Sequence, residues 1–183
     1  MAASACGDSD NPASILLRNN GLHVELVFDP AHPIGKQNAS GLADVRMESA
    51  MSAIIDCEDS VACVDAEDKV LAYSNWLGLM QGDLSETFVK GKTKITRKLN
   101  PDRDFIAPDG KPISLKGRAL LLVRNVGHLM TNPAILDQNG DEIFEGLLDA
   151  MVTTLIAMHD LQRTSGARNS ITGSVYVVMP MRV

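Results

Sequence analysis

Arg124 closes a five-residue apolar run, Ala119-Leu120-Leu121-Leu122-Val123. An arginine at the end of a buried strand is either a salt-bridge partner or an anion clamp. Its planar fork grips carboxylates through two parallel hydrogen bonds and does not lose its proton. As a clamp it suits the stabilisation of an oxyanion. A second run, Met51-Ser52-Ala53-Ile54-Ile55, leads into Asp56, Glu58 and Asp59. In barrels and doubly wound sheets the C-terminal strand ends form the active-site face. Hard carboxylate oxygens placed there suit Mg²⁺, which usually keeps several waters. The plainer reading is solvated loop acids and helix capping.

Other residues carry weaker signals. Asn125, Gly127 and His128 follow Arg124. Gly127 lets the backbone approach a ligand, and His128 is either a base or a loop histidine with its bonds satisfied. Gly91-Lys92-Thr93 is like the end of a phosphate-binding loop. The first glycine of that motif is missing and no buried strand precedes it, so a hairpin turn is expected. Arg97, Lys98 and Arg103 are a modest basic group, able to meet a phosphate or to stay solvated. Cys57 and Cys63 have no histidine pairing, which argues against zinc.

The elements that must position these residues can be read in order. Residues 1–14 are small and polar and are expected to fray. Asn20-Gly21 lies between apolar runs and predicts a hairpin, because both residues tolerate positive φ. Leu22, Val24, Leu26 and Phe28 would then share one face. After Pro30, Pro33 and Gly35 a loop is expected to about Gly41 and a short helix to about Ala50. Residues 51–60, an apolar start running into acids, read as a buried strand whose end leaves the core. Asp65 can cap the next helix, with Val70, Leu71, Leu77 and Met80 inward and Gly82 ending it.

Residues 83–118 are polar and turn-rich and read as an insertion, with a short alternating stretch from Ile95 to Leu99. The apolar run before Arg124 is continuous, as in a parallel strand buried on both faces. A helix is expected from Glu145 to about Gln162, with Leu147, Leu148, Met151, Leu155 and Ile156 at helical spacing. Ser174 to Val178 reads as a last strand. Strand–loop–helix order of this kind belongs to α/β folds.

Composition sets the bounds. The chain has 183 residues, 45% of them hydrophobic, so it can bury a core. Aromatics are only 4%, which leaves Leu, Ile, Val, Met and Ala to fill it. The net charge of −6 argues against a nucleic-acid partner. Three cysteines, Cys6, Cys57 and Cys63, do not make a disulfide framework and fit a reducing cytosol. The first residues do not read as a signal peptide. No apolar run approaches the roughly 20 residues of a membrane span. A cytoplasmic protein without a membrane partner is expected.

Several long motifs carry a resemblance. They are Asn20-Gly21-Leu22-His23; Ile55-Asp56-Cys57-Glu58-Asp59-Ser60-Val61-Ala62; Val64-Asp65-Ala66-Glu67-Asp68-Lys69; and Leu77-Gly78-Leu79-Met80-Gln81-Gly82 after Asn75. To these add Arg97-Lys98-Leu99-Asn100, Arg124-Asn125-Val126-Gly127-His128-Leu129-Met130 and Thr172-Gly173-Ser174-Val175-Tyr176. Together they resemble malate synthase G, over nearly the whole chain from about residue 12. The Asp-Cys-Glu-Asp-Ser-Val segment alone is also similar to the citrate lyase β family.

The resemblance implies a partial TIM (β/α)8 barrel with segments of an inserted α/β domain. Residues 1–50 would end the insertion, 51–82 would be a barrel strand and helix, 83–118 would return to the insertion, and 119–183 would continue the barrel. The family condenses acetyl-CoA with glyoxylate and hydrolyses malyl-CoA to malate and CoA, the reaction of the glyoxylate bypass that feeds the tricarboxylic acid cycle. By the match, Arg124 would be the catalytic arginine and would bind glyoxylate. Ser60 and Arg97 would contact acetyl-CoA. Glu58 and Asp59 would stand in the outer shell of Mg²⁺, through water. The direct Mg²⁺ ligands and the catalytic aspartate would lie outside this chain.

A TIM barrel takes about 250 residues, so an incomplete fragment, inactive alone, is expected. The family continues after the last strand with lysine-proline-lysine, whereas Met179-Pro180-Met181-Arg182-Val183 stands here. The family resemblance implies a monomer, and the fragment would associate through open strand edges. Two other readings stand beside this one: a CoA-ester lyase related to the citrate lyase β subunit, and a non-catalytic assembly fragment.

Overall fold

The computed structural model describes residues 2–7, 11–48, 51–58, 63 and 65–179. In chain order its first elements are β1 (Ala2–Gly7), β2 (Pro12–Asn19), β3 (Leu22–Phe28), β4 (Leu42–Met47), β5 (Ser52–Asp56) and α1 (Ala66–Gln81). Then come β6 (Ser85–Lys90), β7 (Thr93–Lys98), β8 (Arg103–Ile106), β9 (Pro112–Leu115) and β10 (Leu120–Arg124). The last are β11 (Thr131–Leu136), β12 (Glu142–Phe144), α2 (Glu145–Leu161) and β13 (Val177–Val178). The chain is mixed α/β in two units, residues 1–51 with 101–117 and residues 52–100 with 118–183.

The first unit is a sheet in the order β4-β3-β2-β1-β8-β9, antiparallel throughout. Asn19 pairs with Leu22 across a two-residue turn in which Asn20 and Gly21 take φ of +51° and +84°. That is the hairpin predicted from Asn-Gly. Leu22, Val24, Leu26 and Phe28 do share a face, but the buried residue of β3 is Glu25 on the other face. Arg103 on β8 holds its carboxylate, and Arg46 on β4 lies 3.8 Å away.

Two expectations fail in this unit. Residues 42–47 are a strand paired with β3, not a helix. A sheet edge with open hydrogen-bonding groups outweighs the weak helical preference of a short segment. The segment expected to fray contains β1, which pairs with β2 from Ala2 to Gly7. Its small residues give no alternating signal in the sequence, although its backbone pairs with β2.

The second unit holds a parallel sheet in the order β13-β10-β5, with β10 in the centre. α1 follows β5 and α2 precedes β13, so the chain runs strand, helix, strand, helix, strand. Asp65 caps α1 by accepting from the Asp68 N–H at 2.9 Å, and Gly82 ends it at φ +73°. The core joins Cys57, Trp76, Met80, Val123 and Ala157. β5 is less buried than expected, since Ser52 to Ile54 are exposed along this edge strand. The regular part of β13 is only two residues long. Ahead of it the Asn169 side chain substitutes for a strand, taking the Leu121 N–H at 2.8 Å and giving to its carbonyl at 3.0 Å.

Met80 is buried and Ile156 packs against the core as their spacing predicts, but much of the predicted apolar face of both helices is turned outward. Val70 and Leu71 are exposed, as are Leu147, Met151 and Leu155. The inward stripes are Lys69, Ala72, Trp76 and Met80 on α1, and Gly146, Asp149, Thr153, Ala157 and Asp160 on α2. These polar groups go inside because each finds a partner there, which removes the penalty of burying it. Trp76 gives its indole N–H to the Thr153 carbonyl, and Asp160 accepts the Ser170 N–H at 2.9 Å.

The polar segment 83–118 forms two hairpins. β6 and β7 meet at Gly91-Lys92, with Gly91 at φ +64°. Gly91-Lys92-Thr93 is therefore a hairpin turn and not a phosphate loop. The β8–β9 hairpin joins the first unit, while β6–β7 groups with the second. Two further strands, β11 and β12, pair antiparallel between Arg124 and α2. Nothing in the sequence pattern announced them.

Candidate active site

The site grows from the register of two parallel strands. β5 and β10 pair so that Asp56 stands beside Arg124, each the last residue of its strand. The Cys57 N–H then donates to the Arg124 carbonyl at 2.8 Å and carries the pairing one step further. Glu58 turns back over this end, its own N–H donating to Asp56 Oδ1 at 2.9 Å. The result brings two carboxylates to one guanidinium. Arg124 Nη2 lies 2.6 Å from Glu58 Oε2, and Nη1 lies 3.5 Å from Asp56 Oδ2.

About a third of the Arg124 side chain remains exposed (31%). The two acids orient the guanidinium. A guanidinium held in this way has the chemistry to bind an anion through its planar fork. Of the residues singled out in the sequence, Arg124, Glu58 and Asp56 are brought together. Asp59 and Ser60 lie outside the described residues. Arg97 is exposed on β7 and stacks its guanidinium 4.8 Å over the Phe88 ring. His128 is exposed and meets Phe144 edge-on at 5.7 Å.

Behind Arg124 the chain is held tightly. Asn125 is fully buried; its N–H donates to the Val178 carbonyl at 2.9 Å, and its side-chain amide to Thr153 Oγ1 at 3.0 Å. The Val126 N–H donates to Asp149 Oδ2 at 3.1 Å. Gly146 makes this approach possible, because a Cβ there would lie 2.4 Å from the Val126 carbonyl oxygen. Sequence reasoning missed this group. Its signal was polar residues at helical spacing, Lys69 with Tyr73 and Glu145 with Asp149.

A charged cluster lies between the helices. Lys69 Nζ is 2.8 Å from Asp149 Oδ1 and 2.5 Å from Glu145 Oε1. The Tyr73 hydroxyl donates to Asp149 Oδ1 at 2.5 Å. Burial works against the Lys69 charge, but its bonds to Asp149 and Glu145 outweigh burial and raise its pKa above the ordinary lysine value. Burial, followed by the bond to Asp149, pushes the Tyr73 phenol well above its ordinary range. Burial also pushes up the thiols of Cys57 and Cys63, which keeps both in the less reactive protonated form. A cavity of about 570 Å³ opens beside the cluster, walled by Val70, Tyr73, Met130, Pro133 and Leu148.

Among the described residues no three His, Cys, Asp or Glu side chains group as a metal site. Asp56 and Glu58 supply hard oxygens, but both face Arg124. Among the same residues, no helix is long and apolar enough to cross a membrane.

No family model matches the chain. Curated relatives do. Malate synthase G of Halalkalibacterium halodurans is 57% identical over 175 residues, covering 95% of this chain and 24% of that protein. Malate synthase G of Corynebacterium efficiens is 55% identical over 174 residues, with 95% and 23% covered. The same protein of Corynebacterium glutamicum is 53% identical over 174 residues, with the same shares. Along nearly its whole length, then, the chain is similar to a stretch of malate synthase G, and it spans about a quarter of the length of the curated relatives it matches.

Proposed function

We propose that the chain is the part of a malate synthase, an acyltransferase, that carries the catalytic arginine. The observation that supports this most is Arg124, held by Glu58 and Asp56 at the ends of two parallel strands and embedded in sequence similar to malate synthase G. The substrates are acetyl-CoA and glyoxylate. A proton leaves the acetyl methyl group, the enolate attacks the glyoxylate aldehyde, and malyl-CoA is hydrolysed to malate and CoA. Negative charge grows on oxygen in both of the first steps. A fixed guanidinium gains most against a charge that develops only in the transition state. Arg124 would orient glyoxylate through its carboxylate and steady the developing oxyanions. Glu58 and Asp56 keep the fork aimed.

Residues 51–82 and 119–183 are proposed as part of a TIM barrel, and residues 1–50 and 83–118 as part of the inserted domain, although β6–β7 groups with the second unit. The parallel order β5-β10-β13 with intervening helices supports this. Ser60 and Arg97 are proposed contacts of acetyl-CoA. Glu58 and Asp59 are proposed outer-shell neighbours of a magnesium ion. That ion would polarise the aldehyde, but the described residues do not fit it as a site by themselves. Its direct ligands and the catalytic aspartate are assigned to the stretch of the relatives that this chain does not match. A cytoplasmic setting goes with this reading.

Glyoxylate titration followed by the ¹⁵N signal of the Arg124 Nε–H group tests the reading. Saturable change of this signal in the parent chain, with calorimetric glyoxylate binding lost in Arg124→Gln, is the expected result; no change at high glyoxylate sinks it. Release of CoA thiol by the isolated chain above about 1 s⁻¹ would overturn the assignment of essential residues elsewhere.

A further inference from the structure

Asp149 takes no part in the chemistry above, yet its carboxylate is fully buried. A buried ionised carboxylate costs several kcal/mol unless hydrogen bonds and an opposite charge offset it. Here the offset comes from two different parts of the chain. Lys69 and Tyr73 on α1 take one oxygen, at 2.8 and 2.5 Å. The other oxygen accepts the backbone N–H of Val126 at 3.1 Å. Val126 stands two residues beyond Arg124.

The helix that carries Asp149, α2, also grips Asn125 through Thr153. Its hydroxyl donates to the Asp149 carbonyl at 2.7 Å and accepts from the Asn125 side chain at 3.0 Å. The backbone that leaves Arg124 is thus fixed by α2. The orientation of Asp149 is in turn fixed by α1.

We propose that Asp149 is the positioning residue of the Arg124 site, with Lys69 and Tyr73 holding its carboxylate in place. By fixing residues 125 and 126 it sets the direction in which β10 delivers the guanidinium to Glu58 and to an anionic substrate. The substrate half of this statement rests on the reading of Arg124 given under the proposed function.

The test uses the 183-residue chain with Tyr73→Phe and Asp149→Asn. Tyr73→Phe removes a single hydroxyl and keeps the ring, so it carries the test if Asp149→Asn does not fold. Three quantities are read: hydrogen exchange of the Arg124 Nε–H, glyoxylate affinity and the thermal midpoint. Faster Arg124 exchange and weaker glyoxylate binding, each by about tenfold, the worth of one hydrogen bond to a charged group, support the proposal. A lower midpoint with Arg124 exchange unchanged overturns it, since a merely structural clamp would do that. If the parent chain binds no glyoxylate, the substrate reading fails, and the exchange of Arg124 in the variants still decides the positioning.

Discussion

Trp76 on α1 donates its indole N–H to the carbonyl oxygen of Thr153 on α2, at 3.0 Å, with the ring almost wholly buried. The bond crosses the helix interface beside the strand that ends in Arg124. Replacing Trp76 by alanine should cost about 3–5 kcal/mol, the range for emptying a large aromatic site. Trp76→Phe should cost less and should retain the fold. Urea unfolding followed by circular dichroism measures both, and a near-neutral Trp76→Ala would contradict this core assignment.

Arg124 should matter little for stability and much for binding. Its ion pairs are partly exposed, and such pairs contribute about 0–1 kcal/mol. Arg124→Gln should leave the urea midpoint close to the parent's and abolish the response to glyoxylate. Arg124→Lys keeps the charge but loses the two-pronged geometry, so weakened rather than absent binding is expected from calorimetric titration.

Gly146 and Gly91 should respond to alanine for different reasons. At Gly146 the new methyl would meet the Val126 carbonyl oxygen at 2.4 Å, so helix or loop must move. Overpacking of this kind costs about 1–3 kcal/mol and should also disturb the Arg124 ¹⁵N signal. At Gly91 there is open space, and only the φ of +64° is unfavourable. That should cost about 1–2 kcal/mol and leave the Arg124 signal untouched.

Alkaline pH should loosen the helix pair. Lys69 and Tyr73 both have folded pKa values raised above their unfolded ones. Such groups contribute stability that is intact below the unfolded pKa and lost as pH climbs through the folded pKa. Stability should hold through neutrality and fall from about pH 10 upward. Urea midpoints on both sides of that value check this. A fall equally steep in Lys69→Met and Tyr73→Phe would assign the effect elsewhere.

The strand ends and turns were legible in the sequence because their signals are local. Asn20-Gly21 needs positive φ, Asp65 and Gly82 bracket α1, and Arg124 ends a continuous apolar run. The pairing of Arg124 with Glu58 could be suspected only as acids and a base at two strand ends; the register that joins them is tertiary. Apolar spacing finds Met80 and Ile156 on the inward faces of α1 and α2 but not the polar residues beside them. Lys69, Asp149 and Thr153 are buried by virtue of one another, and no single segment contains that information. Residues 42–47 became a strand because β3 offered an edge, which again is a property of two segments together.

The strand register has a consequence in time. β2 and β3 need close only a two-residue turn, whereas Asp56 and Arg124 are brought together across 68 positions of chain. Closing a long loop costs entropy before any contact rewards it, so distant parallel pairing is slow. The hairpin of the first unit should therefore form early, and the juxtaposition of Asp56 with Arg124 should be among the last features to exist. Pulse-labelled hydrogen exchange during refolding would see the β2–β3 amides protected well before those of β10. A chain caught midway would carry ordered sheet while its Arg124 guanidinium still lacked the acids that orient it.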